Sequence, residues 1–205
     1  MSKQVRTIYF DTETTGILNK KKSPDEWPRI VQLAWIVSNE EGRIFEQANF
    51  IVKPEGFIIP QAAIDIHGIT NEIAQKSPWT IKEVLLKFYN AWKDCGLMVC
   101  HNVDYDVPIV DGEAYRLSKT NAMPFHKKPS FCTMKQTADV VKLKKSNGNT
   151  NKWPKLIELC DFCKVKNEKE HDAGGDVMAT YLCYQDLIHR ELINPISSTQ
   201  GTIFQ

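Results

Sequence analysis

Three short apolar segments in the first quarter of the chain constrain its fold more than any other feature. They cover residues 5–10, 30–37 and 43–52, and they are rich in β-branched residues with polar residues interleaved, a pattern typical of strands. Residues 39–42 (Asn-Glu-Glu-Gly) separate the last two segments and have the composition of a hairpin turn. The sequence therefore predicts that three antiparallel strands open the fold.

Helical patterns dominate the rest of the chain, with two more strands among them. We predict helices over residues 60–66, 80–94, about 106–117, 153–163 and 172–191, and strands over 97–100 and 131–134. Pro108 sets the predicted start of the third helix, because proline is tolerated in the first turn of a helix. A strand meander followed by strand–helix alternation indicates an α/β fold, with a mixed five-stranded sheet flanked by helices.

Length and composition fit one globular domain. The chain has 205 residues, of which 42% are hydrophobic and 25% charged, which is ordinary for such a domain. No apolar run approaches the ~18 residues that span a bilayer, and the N-terminus lacks a signal-peptide pattern. We expect a cytoplasmic protein without membrane contact, with one domain over residues 1–193 and a flexible tail over residues 194–205.

The overall charge does not by itself indicate nucleic-acid binding. The net charge is +1, whereas proteins that grip long duplex DNA usually carry a strongly basic face. Lysines cluster at residues 20–22, at 127–128 and along 142–155. Each cluster is compatible with a solvated loop or with phosphate contact, so a protein that holds a few nucleotides at a strand end is not excluded.

A pair of carboxylates ends the first predicted strand. Asp11 and Glu13 flank Thr12, and residues two apart in an extended backbone point to the same side. Two such carboxylates repel each other unless a cation lies between them, and hard divalent cations prefer oxygen ligands. A turn or a salt bridge at the strand end is the alternative. Gly16 would let the backbone turn sharply and a ligand come close.

Two further acidic sites follow later in the chain. Asp104 and Asp106 lie after the strand at 97–100, where either acid could instead cap a helix. His171 and Asp176 lie at the start of the last predicted helix, and residues five apart in a helix point about 140° apart. We therefore expect His171 in the preceding loop and Asp172 at the N-cap, so that His171 and Asp176 converge.

Small residues follow that predicted N-cap. Gly174 and Gly175 lie in the first turn, where each glycine costs about 1 kcal/mol in helix propensity. This cost suggests a compensation in packing or function, and we expect the helix to press closely against the sheet.

Six cysteines offer one short metal-binding pattern. Cys160 and Cys163 form a CxxC, but the sequence has no second CxxC and no nearby histidine pair at the usual zinc spacing. Their neighbours are apolar at helical spacing. Buried thiols are therefore a better interpretation than a zinc-binding adaptor.

Four motifs occur in order along the chain: Phe-Asp11-Thr-Glu13-Thr-Thr-Gly16, Ile66-His67-Gly68-Ile69-Thr70, His101-Asn102-x-x-Tyr105-Asp106 and His171-Asp172-Ala173-x-x-Asp176. They extend from residue 7 to about residue 182. Together they resemble the motifs of the DEDDh family of 3′→5′ exonucleases, and within it the DnaQ-like group that includes the epsilon subunit of bacterial DNA polymerase III. The resemblance implies a ribonuclease H-like fold.

The same resemblance implies a catalytic set of four metal-binding acids and one general base: Asp11, Glu13, Asp106, Asp176 and His171. The acids would bind two divalent cations, Mg²⁺ or Mn²⁺, with Asp11 bridging both. Because the family places its acid directly after the aromatic residue, Asp106 is selected over Asp104. The implied activity is release of nucleoside 5′-monophosphates from the 3′ end of single-stranded DNA, in proofreading or repair.

The resemblance also implies a set of substrate-binding residues: Thr14, Thr15, Gly16, Ile17, His67, Asn102 and Tyr105. The turn that contains Ile17 would meet the terminal nucleotide, and Tyr105 would stack on it. A place in the core is the alternative for Tyr105. The alternative for the Ile66–Thr70 segment is a plain helix C-cap centred on Gly68.

Two features concern the surroundings of this site and its partners. The polar loop Asn19-Lys20-Lys21-Lys22-Ser23-Pro24-Asp25 is an insertion beside it, expected either to widen the entrance or to contact phosphate. The C-terminal Gln200-Gly201-Thr202-Ile203-Phe204 resembles the peptide by which bacterial replication proteins bind the sliding clamp, with an unstructured end as the alternative. A DNA polymerase catalytic subunit is the other implied partner.

Two other functions remain open from the sequence. The first is an RNA-directed 3′ exonuclease of the same superfamily. The second is an inactive module that binds a nucleic-acid end or a protein partner. The five competent residues at the catalytic positions favour an enzyme, because converging acids repel phosphate in the absence of metal.

Overall fold

A computed structural model describes residues 6–120, 125–146, 148 and 150–194. The sheet comprises β1 (Thr7–Thr14), β2 (Ile30–Ser38), β3 (Ile44–Ile51), β4 (Leu97–Cys100) and β5 (Ser130–Cys132). Their spatial order is β3-β2-β1-β4-β5. The first three strands are antiparallel, whereas β4 runs parallel to β1 and β5 parallel to β4. The predicted mixed five-stranded sheet is confirmed.

Helices cover both faces of this sheet. They are α1 (Gln61–His67), α2 (Asn71–Gln75), α3 (Ile81–Trp92), α4 (Val103–Ser118), α5 (Thr133–Gln136), α6 (Ala138–Val141), α7 (Leu156–Cys163) and α8 (Ala173–His189). Short 3₁₀ helices lie at Pro24–Glu26 and Phe125–Lys127. None of the helices in the described part of the chain combines the length and apolar character needed to cross a bilayer.

Side-chain alternation along β1 explains the two layers of helices. Ile8 and Phe10 are buried in a cluster with α3 and α4, whereas Tyr9 is buried in another cluster with α8. Successive residues of a strand point to opposite faces, so odd positions of β1 face α8 and even positions face α3 and α4. This parity decides where the acidic residues at the end of β1 point.

The predicted start of the third helix, near residue 106, is wrong. Helix α4 begins at Val103 and carries Pro108 inside it. Proline there cannot donate a hydrogen bond to the Asp104 carbonyl, one turn earlier, and its ring crowds that carbonyl. Burial of Val103 and Val107 in the core favours the longer helix in spite of that loss.

Other boundaries differ by a few residues. Strand β1 continues to Thr14 instead of ending at Asp11, and β5 ends at Cys132 because Thr133 begins α5. The short helices α2, α5 and α6 were absent from the prediction. Helix α1 ends at His67, and the next residue, Gly68, has a left-handed φ of 73°. Gly68 is therefore a helix C-cap, in agreement with the alternative interpretation of this segment.

The predicted close approach of the last helix to the sheet is present at Gly174, whereas Gly175 packs against the loop before the helix. A Cβ on Gly174 would clash with the Asn49 side chain of β3. A Cβ on Gly175 would lie 2.5 Å from the carbonyl oxygen of Lys169, in the loop before the helix. The propensity cost of the two glycines is therefore matched by tight packing.

The inserted loop is docked against α4. Its Asp25 pairs with Lys119 at 2.6 Å, and the ring of Trp27 packs where a Cβ on Gly112 would come within 2.9 Å of it. The guanidinium of Arg116 donates to the Trp27 carbonyl. These contacts hold the insertion and the adjoining Trp27 against α4.

The cysteine pair lies in an apolar cluster between α7 and α8. Cys160 and Cys163 are buried there with Cys183 and Leu187, and the sulfurs of Cys160 and Cys183 are 3.8 Å apart. These thiols are packed as small apolar side chains, in agreement with the predicted buried state.

Candidate active site

The first two acids lie within the last half of β1. Asp11 is paired with Ala34 and Glu13 with Gln32 in the antiparallel register with β2. Both have the parity of Tyr9 and therefore point toward α8. Thr12 has the opposite parity and points toward α4.

Asp106 of α4 is held by that intervening threonine. Its carboxylate Oδ1 accepts hydrogen bonds from the Thr12 backbone N–H at 3.2 Å and from the Thr12 hydroxyl at 2.7 Å. Asp106 is only 3% exposed, so these bonds supply much of the polar contact that a buried carboxylate needs. The sequence prediction missed Thr12, although its place between two acids is a signal for such a role.

Asp176 of α8 is held from the loop before the helix. Asn167 donates from Nδ2 to Oδ1 at 2.6 Å, and the His171 backbone N–H donates to Oδ2 at 3.1 Å. His171 lies outside the helix, as predicted, with a left-handed φ of 59°. Ligand atoms of Glu13, His171 and Asp176 all lie within 4.8 Å of one another.

A buried glutamine fixes the N-terminus of α8 on the sheet. The Gln32 side chain donates to Asp172 Oδ2 and to Asn49 Oδ1, both at 2.9 Å, and accepts from the Ala173 N–H at 3.1 Å. Asp172 is the N-cap, and its Oδ1 accepts from Gly175 N at 3.0 Å. The capping prediction is confirmed, whereas the roles of Gln32 and Asn49 follow only from the tertiary structure.

The four acids form one electrostatic cluster. Burial raises the pKa of Asp11 well above its usual value, and the charges of Asp106, Asp176 and Glu13 raise it further. Burial and then Asp176 raise the pKa of Glu13 to about 8. Burial also raises the pKa values of Asp106 and Asp176, against the hydrogen bonds from Thr12 and Asn167.

Ionisation of all four acids in this cluster is energetically costly, because their negative charges are partly or fully buried close together. Negative groups that raise one another's pKa are each stabilised by a neighbouring cation. A donor set made of carboxylate oxygens suits hard cations such as Mg²⁺ and Mn²⁺. The residues therefore fit a divalent-cation site at the junction of β1, α4 and α8.

The turn after β1 lies beside this cluster and is held by a tyrosine. The Tyr105 hydroxyl donates to the Gly16 carbonyl at 2.6 Å and contacts the Thr14 hydroxyl. Tyr105 also packs against the core, as its alternative interpretation held, and stacking on a nucleotide stays a prediction. Gly16 has no left-handed φ, and a Cβ added to it would meet no heavy atom within 4 Å. The expected sharp turn therefore does not require glycine, while open space remains around it.

The remaining predicted substrate residues surround the same turn. Thr15 lies at the base of the turn. The Thr15 N–H donates to the Arg29 carbonyl at 3.0 Å, and the Thr15 hydroxyl accepts from Arg29 N at 2.9 Å. Ile17 is 91% exposed. His67 accepts from Ile69 N at 3.0 Å through Nδ1, and burial lowers its pKa, with the charge of His171 contributing.

Asn102 and Asp104 occupy the start of α4. Asn102 is the N-cap residue, and its carbonyl accepts from the N–H groups of Tyr105 and Asp106 at 2.9 and 3.1 Å. Its side chain makes no capping bond. Asp104 pairs with Lys135 of α5 and is not an N-cap. The structure thus brings Asp106, and not Asp104, to the acidic cluster.

Comparison with known proteins places the chain among nucleases. The RNase T exonuclease family model matches residues 8–184. The DNA polymerase III epsilon subunit of Buchnera aphidicola is 30% identical over 179 residues, which are 86% of this chain and 69% of that protein. An uncharacterized exonuclease of Escherichia phage 186 is 29% identical over 84% of this chain and 83% of that protein.

A solved structure with the same fold is Escherichia coli exonuclease I in complex with a dT13 oligonucleotide. It superimposes with a TM-score of 0.75 at 19% identity over 92% of this chain. The chain spans 42% of exonuclease I. At that identity the likeness concerns the fold.

Proposed function

The chain belongs to the RNase T family of exonucleases, and from that membership we propose that it hydrolyses single-stranded DNA from the 3′ end and releases nucleoside 5′-monophosphates. The observation that carries the proposal is the convergence of four acids from three distant segments beside His171. Phosphodiester hydrolysis at an end requires charge compensation, a base and a place for the terminal nucleotide, and the residues assigned below would supply each of them.

Asp11, Glu13, Asp106 and Asp176 would hold two divalent cations. When bound, such a pair supplies activation of a water molecule and stabilisation of the charge on the attacked phosphate. The chain positions its carboxylates beforehand: Thr12 orients Asp106, and Asn167 orients Asp176. This preorganisation lowers the reorganisation needed at the moment of reaction.

His171 is the proposed general base. Its backbone N–H is bonded to Asp176, which keeps the residue beside the acids, and its ring makes no hydrogen bond within the described part of the chain. Imidazole can accept a proton near neutral pH, so a ring nitrogen of His171 would take the proton of the attacking water. General-base catalysis of this kind contributes about 10²–10⁴-fold.

The turn formed by residues 14–17 would meet the terminal nucleotide. Ile17 presents an almost fully exposed apolar side chain, suited to contact a base or sugar, and the open space around Gly16 lets a nucleotide approach the backbone. His67 and Asn102 would contribute polar contacts. Because such contacts do not read base identity, we expect little sequence preference.

The relatives suggest a biological setting. The epsilon subunit of DNA polymerase III is a replication protein by its name, and the exonuclease I structure contains a single-stranded oligonucleotide. We therefore propose a proofreading or repair role on DNA, with a polymerase catalytic subunit as a candidate partner. The clamp-binding peptide proposed at Gln200–Phe204 lies outside the described residues.

A degradation assay tests the proposal. Oligonucleotides of one sequence, as single-stranded DNA and as RNA with a 5′ label, are incubated with Mg²⁺ or Mn²⁺ and with EDTA. We expect the labelled DNA to shorten from its 3′ end, with nucleoside 5′-monophosphates as the chromatographed product and no reaction in EDTA. Faster cleavage of RNA would instead support the RNA-directed alternative, and no cleavage of either would support a binding module.

A further inference from the structure

An exposed tryptophan lies near the candidate active site and has no role in the site described above. Trp153 is 57% exposed and is the most exposed of the five tryptophans in the chain. Single exposed apolar residues are common on protein surfaces and need no explanation by themselves. Trp153 differs in the way its backbone and its ring are held and in the charge around it.

The backbone on both sides of Trp153 is anchored. The Lys152 N–H donates to the Leu143 carbonyl at 2.7 Å, and Pro154 on the other side is buried. A ring carried by an anchored backbone has few conformations to lose when a flat ligand stacks on it. Trp153 is therefore preorganised for stacking.

Lys135 connects this ring to the helix that carries Asp106. Its Nζ lies 5.2 Å from the centroid of the Trp153 ring and also pairs with the Asp104 carboxylate. Asp104 precedes Asp106 by two residues in α4, and Lys135 follows β5, which is parallel to β4. The carboxyl ends of parallel strands meet at one edge of a sheet, so Trp153 and the acidic cluster share that edge.

The segment that carries Trp153 is basic. Residues 142–155 contain five lysines and no acidic residue: Lys142, Lys144, Lys145, Lys152 and Lys155. Lys152 pairs with Glu158, and the other four lysines are exposed. In a chain whose net charge is only +1, this is a local concentration of positive charge, complementary to a phosphate backbone.

We propose that Trp153, Lys135 and the lysines of residues 142–155 form a binding surface for the part of a single-stranded DNA that precedes its terminal nucleotide. One base would stack on the free face of the indole, while phosphates lie along the lysines. Stacking and backbone contact are how proteins bind single strands without sequence preference. The inference rests on the proposed function, since it assigns the site that holds the strand while its end is processed.

Binding in an inactive background tests this inference separately from hydrolysis. The full chain with Asp11→Asn, in Mg²⁺, is titrated against a labelled single-stranded oligonucleotide of about 12 nucleotides, and fluorescence anisotropy is measured. Adding Trp153→Ala should weaken binding about tenfold. Trp153→Phe should restore most of that affinity, because it retains an aromatic face.

Phe45→Ala is the matched control. Phe45 is also an exposed aromatic, at 44%, with Arg6 5.0 Å from its ring centroid. It belongs to β3, however, the outermost strand on the side of the sheet opposite β5. Its removal should leave strand affinity unchanged. A general effect of removing a surface aromatic would appear in both variants, whereas a strand-binding role appears only with Trp153.

Oligonucleotide length provides the second readout. A dinucleotide reaches only the active site, so Trp153→Ala should change its affinity less than twofold while weakening the longer strand. Equal affinity of Trp153→Ala and Phe45→Ala for the longer strand would overturn the inference. It would also be overturned if Trp153→Ala lost the same fraction of its affinity for the dinucleotide as for the longer strand. Trp153-dependent binding by a native protein that released no monophosphate would contradict the proposed function and support the binding surface.

Discussion

Replacing Asp11 with asparagine is expected to lower the rate of 3′-end hydrolysis on the order of 10⁴-fold, while the chain stays folded. Burial raises the pKa of Asp11, and the charges of the other three acids of the proposed cation site, Asp106, Asp176 and Glu13, raise it further. Asparagine removes one of the four negative charges that would hold the cations. Release of nucleoside monophosphate at saturating Mn²⁺ measures the loss.

The same substitution should stabilise the protein in the absence of metal. Because the folded-state pKa of Asp11 is raised, ionisation costs stability as pH increases above the unfolded value of about 3.9. In EDTA at neutral pH, Asp11→Asn should therefore increase the free energy of unfolding by about 0.5–2 kcal/mol. The gain should shrink as pH falls toward that unfolded value and disappear below it, where the carboxyl is protonated in both states. Thermal denaturation across pH measures it.

Asp186→Asn is the control for both effects. Asp186 lies in α8, like Asp176, but it pairs with Arg190 on the surface. Its removal should leave hydrolysis near the native rate and should not stabilise the metal-free protein. If Asp11→Asn kept native activity, or if both variants lost it equally, the assignment of the acidic cluster as the catalytic centre would be wrong.

Replacing His171 is the second change with a large expected effect. We expect His171→Asn to slow hydrolysis by about 10²–10⁴-fold, the usual contribution of a general base. Asparagine is the suitable substitute because His171 has a φ of 59°, and asparagine adopts left-handed backbone more readily than most residues. His171→Ala should show the same loss with an added cost in stability.

Calorimetric titration with Mn²⁺ separates a base from a ligand. Ligand atoms of His171, Glu13 and Asp176 lie within 4.8 Å of one another, so direct metal binding by the imidazole is the competing role. If His171 acts as the general base, His171→Asn should bind Mn²⁺ with nearly unchanged affinity while its rate of hydrolysis falls. A parallel loss of affinity and rate would show that His171 is a metal ligand instead.

Much of the fold could be predicted because it depends on local pattern. The five strands, the N-cap at Asp172 and the place of His171 outside α8 follow from side-chain periodicity and helix geometry. The start of α4 could not be predicted from Pro108 alone. There, burial of the first turn in the core decided the boundary, and burial is a tertiary property.

The polar residues that position the acids and the start of α8 were the least predictable part of the site. Gln32, Asn49 and Asn167 are ordinary polar residues in the sequence, and each gains its role from partners distant along the chain. Gln32 reaches Asp172 across 140 positions, a contact that no local pattern indicates. Charged residues at strand and helix ends could be singled out because burying an unpaired carboxylate is costly, whereas a buried amide carries no comparable signal.

Diffraction from crystals grown with Mn²⁺ tests the central claim most directly. Anomalous scattering should locate two ions among the carboxylates of Asp11, Glu13, Asp106 and Asp176, separated by about 3.5–4 Å. Absence of any ion among these four side chains, with manganese bound elsewhere or nowhere, would contradict the account.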